Sequence, residues 1–238
     1  MSTSFSGGAE RLVSFLKGNT FFGGLPDAQL KAVVRQAIVR RFVRGDVIFR
    51  RGDPGDSLMA ILSGRIKICI SNAHAKEVVL TFLAAGDITG EMAVLGGRER
   101  TADAIALEDS ELLVIQGRDL IPVLKAHPDF MLEIIQLLCE KLRAASEIIE
   151  DSTLAMQGRL ARGLLRLALQ HGRKTKDGIR IDLAISQSDL GKYLGLSRPN
   201  VSRQLARLKE ANVIKIDGAQ LFITDERGLA ELAENESA

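Results

Sequence analysis

The spacing of apolar residues along the chain changes twice, and each change marks a predicted domain border. Before residue 38, Leu30, Val33 and Val34 recur at helical spacing, which predicts a helix. The lead-in at residues 4–8 is rich in Ser and Gly and is predicted to be disordered. From 38 to 116, short β-type runs alternate with turns rich in Gly and Asp, which is typical of a sandwich or jelly-roll-like barrel. The predicted strands are 38–43, 47–49, 58–62, 66–70, 78–83, 104–107 and 111–115.

Beyond Gln116 the pattern becomes helical, and one long helix is predicted from Asp129 to about Met156. Its apolar positions recur in steps of three and four over three heptads, which favours a coiled coil between two copies of the chain. A seam that faces the sheet of its own domain is the alternative. The predicted dimer-interface residues are Ile135, Leu138, Leu142, Ala145, Ile149, Ser152 and Met156.

The last third of the chain predicts two short helices, 186–194 and 197–211, that meet at Gly195. A helix at 160–171 and a short strand at 180–183 precede them. A hairpin with its turn at Asp217-Gly218 follows, as in a winged helix-turn-helix. The sequence therefore predicts an α+β protein with a jelly-roll β-roll at 1–128, a dimerisation helix at 129–156 and a winged helix-turn-helix at 157–238.

Positive charge is concentrated in the C-terminal part. The whole chain has a formal net charge of only +2, but the segment from Gly158 to Lys215 contains thirteen Lys and Arg residues and only four acidic residues. Such a cationic module beside a near-neutral remainder indicates contact with nucleic acid, although a merely solvated basic surface is the alternative.

The two short helices carry the residue types of a DNA reader. Ser186 and Ser197 suit helix N-caps, and Val201, Leu205 and Leu208 form a buried stripe. Arginine on the opposite stripe can donate bidentately to guanine in the major groove, while contact with another protein is the alternative use. The candidate DNA-binding residues are Ser186, Ser197, Arg198, Pro199, Asn200, Ser202, Arg203 and Arg207.

A second constellation lies between two β-type segments, where Thr89-Gly90-Glu91 is followed by Arg100-Thr101-Ala102. A short helix from Glu91 would direct backbone N–H groups at an anionic phosphate, and Arg100 would pair with that phosphate. Glu91 can accept from a sugar hydroxyl, and Gly90 permits a close approach of the backbone. The alternative is an internal ion pair between Glu91 and Arg100.

These two motifs resemble those of the Crp/Fnr family of bacterial transcription regulators. The segment Ser197-Arg198-x-x-Val201-x-Arg203-x-Leu205 is similar to the family's recognition motif, and the second constellation is similar to its phosphate-binding cassette. The resemblance spans about residues 20–225. It implies a cyclic-nucleotide-binding β-roll and a homodimer that reads a palindromic DNA operator with Arg198 and Arg203. Pro199 stands where a member of the family has glutamate, so a different half-site is expected.

The resemblance also implies an allosteric ligand, either cAMP or cGMP. On the long helix, Ala145 and Ser146 align with the positions that reach the base, and Ala145 cannot form a hydrogen bond there. Thr101 resembles cassettes that accept cGMP. A regulator that needs no ligand or responds to another signal is the alternative. The candidate nucleotide-binding residues are Gly90, Glu91, Met92, Arg100, Thr101, Ala102, Ala145 and Ser146.

Other classes of protein find no support in the sequence. Paired acids, an activated nucleophile and a metal-binding cluster are all missing, so no catalytic or metal site is predicted. Cys69 and Cys139 lie among apolar residues and are interpreted as two reduced core thiols. With no span of about 18 apolar residues, a cytoplasmic protein without membrane contact is expected. The resemblance to the Crp/Fnr family also implies RNA polymerase as a partner, through the loop Gly172–Gly178, whose basic residues could equally be solvated.

Overall fold

The computed structural model describes residues 4–19, 21–71, 77–183, 185–218 and 220–234. The chain divides into two compact units. One contains Met1–Ile70 and Leu80–Arg143, and the other contains Ser71–Val79 and Ala144–Ala238.

The roll consists of two four-stranded antiparallel sheets, in the order β1-β8-β3-β6 and β2-β7-β4-β5. All seven predicted strands are present, so the jelly-roll-like prediction is confirmed. The short strand β6, which pairs with β3, was not predicted. The strands are β1 (Ile38–Phe42), β2 (Val47–Phe49), β3 (Ser57–Ser63), β4 (Arg65–Ser71), β5 (Glu77–Ala84), β6 (Ile88–Thr89), β7 (Asp103–Ala106) and β8 (Ser110–Gln116).

Strand β8 shows why its apolar residues run without alternation. Leu112 and Val114 pack into the interior between the sheets, with Phe49 and Ile66. The intervening residues, such as Leu113, pack on the opposite face against helices. Because successive side chains of a strand point to opposite faces, a strand covered on both sides must be apolar throughout.

Helices cover that outer face of the roll. They are α1 (Ser4–Lys17), α2 (Asp27–Gln36), α4 (Gly117–Ala126) and the first part of α5 (Pro128–Asp151), with the short α3 (Glu91–Gly96) between strands β6 and β7. Phe21, Phe22, Leu30, Leu120 and Phe130 are buried in this layer. The predicted disordered lead-in was wrong from Ser4 onward, because the helix that buries Val13 and Leu16 begins there.

Helix α5 is shorter than predicted. It ends at Asp151, Ser152 lies in the following turn, and Met156 begins the next helix, so these two residues do not continue the seam. Side chains of the seam are exposed in the single chain at Ile135 (52%), Leu142 (69%) and Ile149 (72%). The interpretation of Cys139 as a core thiol was wrong, since it is exposed, whereas Cys69 is buried. Leu138, about 100° away on the helix, takes the position against the core.

The C-terminal module begins with α6 (Met156–His171) and contains the predicted helices as α7 (Gln187–Leu194) and α8 (Arg198–Glu210). Its sheet has the order β11-β12-β10-β9. The predicted loop Gly172–Gly178 is a hairpin, because β9 pairs with β10. Helix α9 (Glu226–Glu234) was not predicted. The strands are β9 (Gly172–Thr175), β10 (Gly178–Ile181), β11 (Ile214–Asp217) and β12 (Gln220–Ile223).

Candidate functional site

The backbone of the cassette turns sharply at Gly90, which caps α3 with φ of 87°. A Cβ atom at this position would collide with the guanidinium of Arg100 and lie 2.9 Å from the carbonyl oxygen of Ser57. Both the left-handed backbone and the lack of space therefore require glycine. The result is a close approach between the start of α3 and the Arg100 side chain.

Arg100 is a buried cation, with only 4% of the residue exposed. Its Nη1 donates to the Gly90 carbonyl oxygen (3.2 Å) and its Nη2 to the Ser57 hydroxyl (3.0 Å). The guanidinium carbon lies 4.5 Å from the centre of the Phe49 ring. Among the described residues, no carboxylate forms a salt bridge with it, and its buried Nε has no hydrogen-bond partner.

This environment disfavours the charged form of Arg100. Burial lowers the pKa of the guanidinium, and the charges of Asp56, Asp53 and Glu91 only partly oppose that effect. Burying a charge without a matching ion is costly unless a partner arrives. The arrangement is therefore suited to an anion.

Glu91 is also buried, and it pairs with a residue that the sequence analysis did not select. Its Oε1 accepts from Lys141 Nζ at 2.6 Å, and its side chain is 4% exposed. The alternative of a Glu91–Arg100 ion pair was wrong, because Lys141 takes that place. The sequence contained one signal that could have identified Lys141, namely its position one helical turn before the candidate residue Ala145 on α5.

The other predicted nucleotide-binding residues lie in different surroundings. Ala102 is buried, whereas Met92, Thr101, Ala145 and Ser146 are exposed in the single chain. Gly90, Glu91 and Arg100 are thus the members that the structure brings together. Ser57 and Phe49, which hold the Arg100 side chain, lie on strands β3 and β2, and nothing in the sequence around Arg100 marks them.

The helix-turn-helix has the predicted local geometry. The Ser186 hydroxyl accepts from the Asp189 backbone N–H at 3.0 Å and caps α7. The Ser197 hydroxyl caps α8 in the same way through the Asn200 N–H (3.4 Å). Gly195 turns the chain between the helices with φ of 66°. Side-chain caps at both starts fix where the two helices begin.

One face of α8 is buried and the other is exposed. Val201, Leu205 and Leu208 pack inward. Among the residues that the structure describes, none of the three arginines of the outer face forms an ion pair. The predicted residues that are exposed on or beside this helix are Ser186, Ser197, Arg198, Pro199, Ser202, Arg203 and Arg207, and Asn200 is half-buried.

A basic, capped helix followed by a β-hairpin wing defines a DNA-binding module, and the roll with its phosphate-type cassette defines a ligand-binding module. The combination of these two modules is that of a transcription regulator with a sensory domain.

Within the described residues, no helix is long and apolar enough to cross a membrane.

Comparison with known proteins identifies the family. Residues 39–127 match the cyclic nucleotide-binding domain family, and residues 158–232 match the Crp-like helix-turn-helix domain family. The global nitrogen regulator of Synechocystis is 30% identical over 217 residues, covering 86% of this chain and 96% of the relative. The CRP-like cAMP-activated global transcriptional regulator of Mycobacterium tuberculosis is 26% identical over 213 residues, covering 89% and 95%.

The fold agrees with these matches. A CooA mutant from Carboxydothermus hydrogenoformans superposes with a TM-score of 0.71 at 23% identity, over 84% of this chain and 89% of that one. The chain belongs to the Crp/Fnr family of transcription regulators, and it is a regulator rather than an enzyme.

Proposed function

We propose that the protein is a homodimeric transcription regulator that binds a palindromic operator in response to a cyclic mononucleotide, cAMP, cGMP or both. The observation that carries the proposal is Arg100: a buried guanidinium, without an ion pair among the described residues, beside the N-terminus of α3. The phosphate of the nucleotide is the anion that this position accommodates.

The energetics favour a phosphate at Arg100. A charge-assisted hydrogen bond contributes about 1.5–3 kcal/mol, and guanidinium geometry allows two of them to one phosphate. Gly90, Glu91 and Met92 begin α3 here, where backbone N–H groups lack intrahelical partners. The positive end of the helix adds to the attraction for an anion.

Glu91 provides the contact to the sugar in this proposal. A carboxylate has about four acceptor sites, so Glu91 can accept from a ribose 2′-hydroxyl while it retains its bond to Lys141. Because Lys141 belongs to α5, the sugar contact is linked directly to that helix. Ligand binding at the cassette then acts on the helix that we assign to dimerisation.

The base contacts decide between the two nucleotides. The relatives named above include a cAMP-activated regulator. Here Ala145 has no hydrogen-bonding group in its side chain, while Thr101 and Ser146 each have a hydroxyl. Ala102, the residue after Thr101, is buried and apolar. We therefore assign base recognition to Thr101 and to Ser146, with weaker discrimination than two hydroxyls on α5 would provide.

The seam of α5 supports a homodimer. Ile135, Leu142 and Ile149 are exposed, seven residues apart, on a helix whose other face packs on the roll. Exposed apolar residues at heptad spacing are covered when a second α5 pairs with the first. Ala145 occupies an intervening seam position, and Leu138, which is partly buried against the roll, borders the seam.

Two DNA-reading helices in such a dimer would contact successive major grooves of a palindrome, about 34 Å apart. Arg198 and Arg203 are assigned to base edges, and Ser202, Asn200 and Arg207 to bases or phosphates of the same site. The nucleotide promotes this state only if it binds the DNA-competent conformation more tightly. The expected setting is the cytoplasm, with RNA polymerase as the partner of the β9–β10 hairpin.

Titration calorimetry with cAMP and with cGMP tests the ligand, and gel shifts on a randomised palindrome library, with and without each nucleotide, test the response. We expect heat of binding with at least one nucleotide and a stronger shift in its presence. Absence of heat with both nucleotides, from a folded dimer, would refute the proposal and leave a family member that responds to another signal.

A further inference from the structure

The turn at residues 152–155 separates α5 from α6, and a turn between two helices can act as a flexible hinge. The contacts around it are those of a fixed joint. The end of α5, from Ala144, belongs to the same compact unit as the helix-turn-helix. Three arginines spaced along α6, Arg159, Arg162 and Arg166, reach from that helix to its neighbours.

Asp151, the last residue of α5, is the centre of the joint. It is only 4% exposed. Its Oδ2 accepts from Arg166 Nη2 at 2.7 Å, and its Oδ1 lies 3.4 Å from Arg162 Nη1. Glu150 joins at 3.3 Å from Arg162, so both final acids of α5 are paired with α6. A buried carboxylate with such partners is held in one place, because leaving it unpaired is costly.

Arg166 extends the joint to the DNA-reading motif. Its Nε donates to the Tyr193 hydroxyl at 2.7 Å, and its guanidinium carbon lies 5.4 Å from the centre of the Tyr193 ring. Tyr193 is buried on α7, the first helix of the motif. Burial tends to lower the pKa of Arg166, but Tyr193 and Asp151 outweigh it and raise that pKa, so the side chain stays charged. One guanidinium thus connects α5, α6 and α7.

Arg159 holds the turn itself. Its Nη2 donates to the carbonyl oxygens of Ser152 (2.6 Å) and Leu154 (3.1 Å). Its Nη1 lies 3.5 Å from the carbonyl oxygen of Gly195, between the two helices of the motif. Carbonyl groups at a helix end otherwise lack partners. The turn is therefore held by a side chain that also contacts the helix-turn-helix at Gly195.

We propose that Asp151, Arg166 and Tyr193 are positioning residues that fix the DNA-reading motif to the end of α5, so that the turn at 152–155 does not act as a free hinge. They contact neither nucleotide nor DNA in our assignment. Their role is to make each movement of the end of α5 a movement of α8. The coupling of this joint to nucleotide rests on the proposed function, whereas its rigidity does not.

The test measures rigidity directly. Native Cys139, exposed on α5, and Lys209→Cys, exposed on α8, accept spin labels, while Cys69 is buried. Labelled chains diluted with unlabelled protein give the distribution of distances between α5 and α8 within one chain. Asp151→Asn and Tyr193→Phe are compared with Glu231→Gln, which removes an exposed ion pair of α9 in the same unit. Tyr193→Phe removes one hydroxyl and retains the ring, so the module stays folded.

We expect a narrow distribution in the parent and in Glu231→Gln, and a broader one in both joint variants. Equal widths in all four proteins would overturn the proposal. Gel shifts give the ratio of operator affinities with and without nucleotide, which is typically about 5- to 150-fold in allosteric proteins. This ratio should fall towards one in the joint variants. Their affinity for nucleotide in the absence of DNA should stay unchanged. If the parent responds to neither nucleotide, the proposed ligand is wrong, and the distance distributions still decide the joint.

Discussion

Replacing Arg100 with glutamine separates ligand binding from stability. The substitution removes the cation but keeps a polar side chain near the Gly90 carbonyl oxygen and the Ser57 hydroxyl, which now accept from Arg100 at 3.2 and 3.0 Å. The loss of two charge-assisted hydrogen bonds to a phosphate costs about 3–6 kcal/mol. Nucleotide affinity should therefore fall by roughly 10²- to 10⁴-fold.

The stability of the ligand-free protein should change much less. Two acceptors lose a donor, at about 1–3 kcal/mol for each group left unsatisfied. Removal of a desolvated charge, whose burial already lowers the pKa of Arg100, acts in the opposite direction. We expect the free energy of unfolding to fall by no more than about 2 kcal/mol, and Tm by several degrees.

Titration calorimetry with cAMP and cGMP, together with thermal unfolding without ligand, measures both quantities. Arg44→Gln is the matched control, since Arg44 is an exposed arginine in a different turn of the roll. It should bind nucleotide as the parent does. If folded Arg100→Gln binds within about tenfold of the parent, Arg100 is not the phosphate ligand and the reasoning from its burial fails.

Three further substitutions test other parts of the molecule. Gly90→Ala should lower both Tm and nucleotide affinity more than Gly86→Ala does. Both glycines have positive φ, but only at Gly90 would the added Cβ collide with neighbouring atoms. Equal decreases of Tm and of affinity in the two variants would contradict this. Leu142→Asp should give a monomer in analytical ultracentrifugation, whereas Leu169→Asp, at a leucine on α6 that is even more exposed (88% against 69%), should not; a persistent dimer would exclude the α5 seam. Arg203→Ala should weaken binding to the selected operator by about 1–3 kcal/mol and relax specificity at one base pair, as read by gel shifts on single-base variants; unchanged specificity would remove Arg203 from base reading.

Local features were predictable from the sequence where local chemistry decides them. The caps at Ser186 and Ser197 and the turn at Gly195 depend on neighbours three or four residues away, so the helix-turn-helix was predicted within a residue or two. The strands of the roll were predictable for the same reason, since Gly and Asp turns end them. The β9 strand was missed because its polar residues, such as Arg173 and Lys174, carry no β pattern, and only pairing with β10 makes them a strand.

The long helix shows where periodicity misleads. Ser152 and Met156 continue the heptad spacing, yet α5 ends at Asp151, whose carboxylate is bound by arginines of α6. Spacing along one helix contains no information about such a partner. Cys139 was misjudged in the same way, since apolar neighbours in sequence do not show which side of a helix is covered.

The sequence by itself determined the family and the order of the domains, and it predicted the residues of the cassette and of the reading helix, because these depend on motifs of a few contiguous residues. Tertiary structure decided how those residues are used. It paired Glu91 with Lys141, placed Arg100 on Phe49 and Ser57, and joined Asp151 to Arg166. Each of these contacts joins residues at least 15 positions apart, and the burial that makes them strong exists only once separate elements pack together.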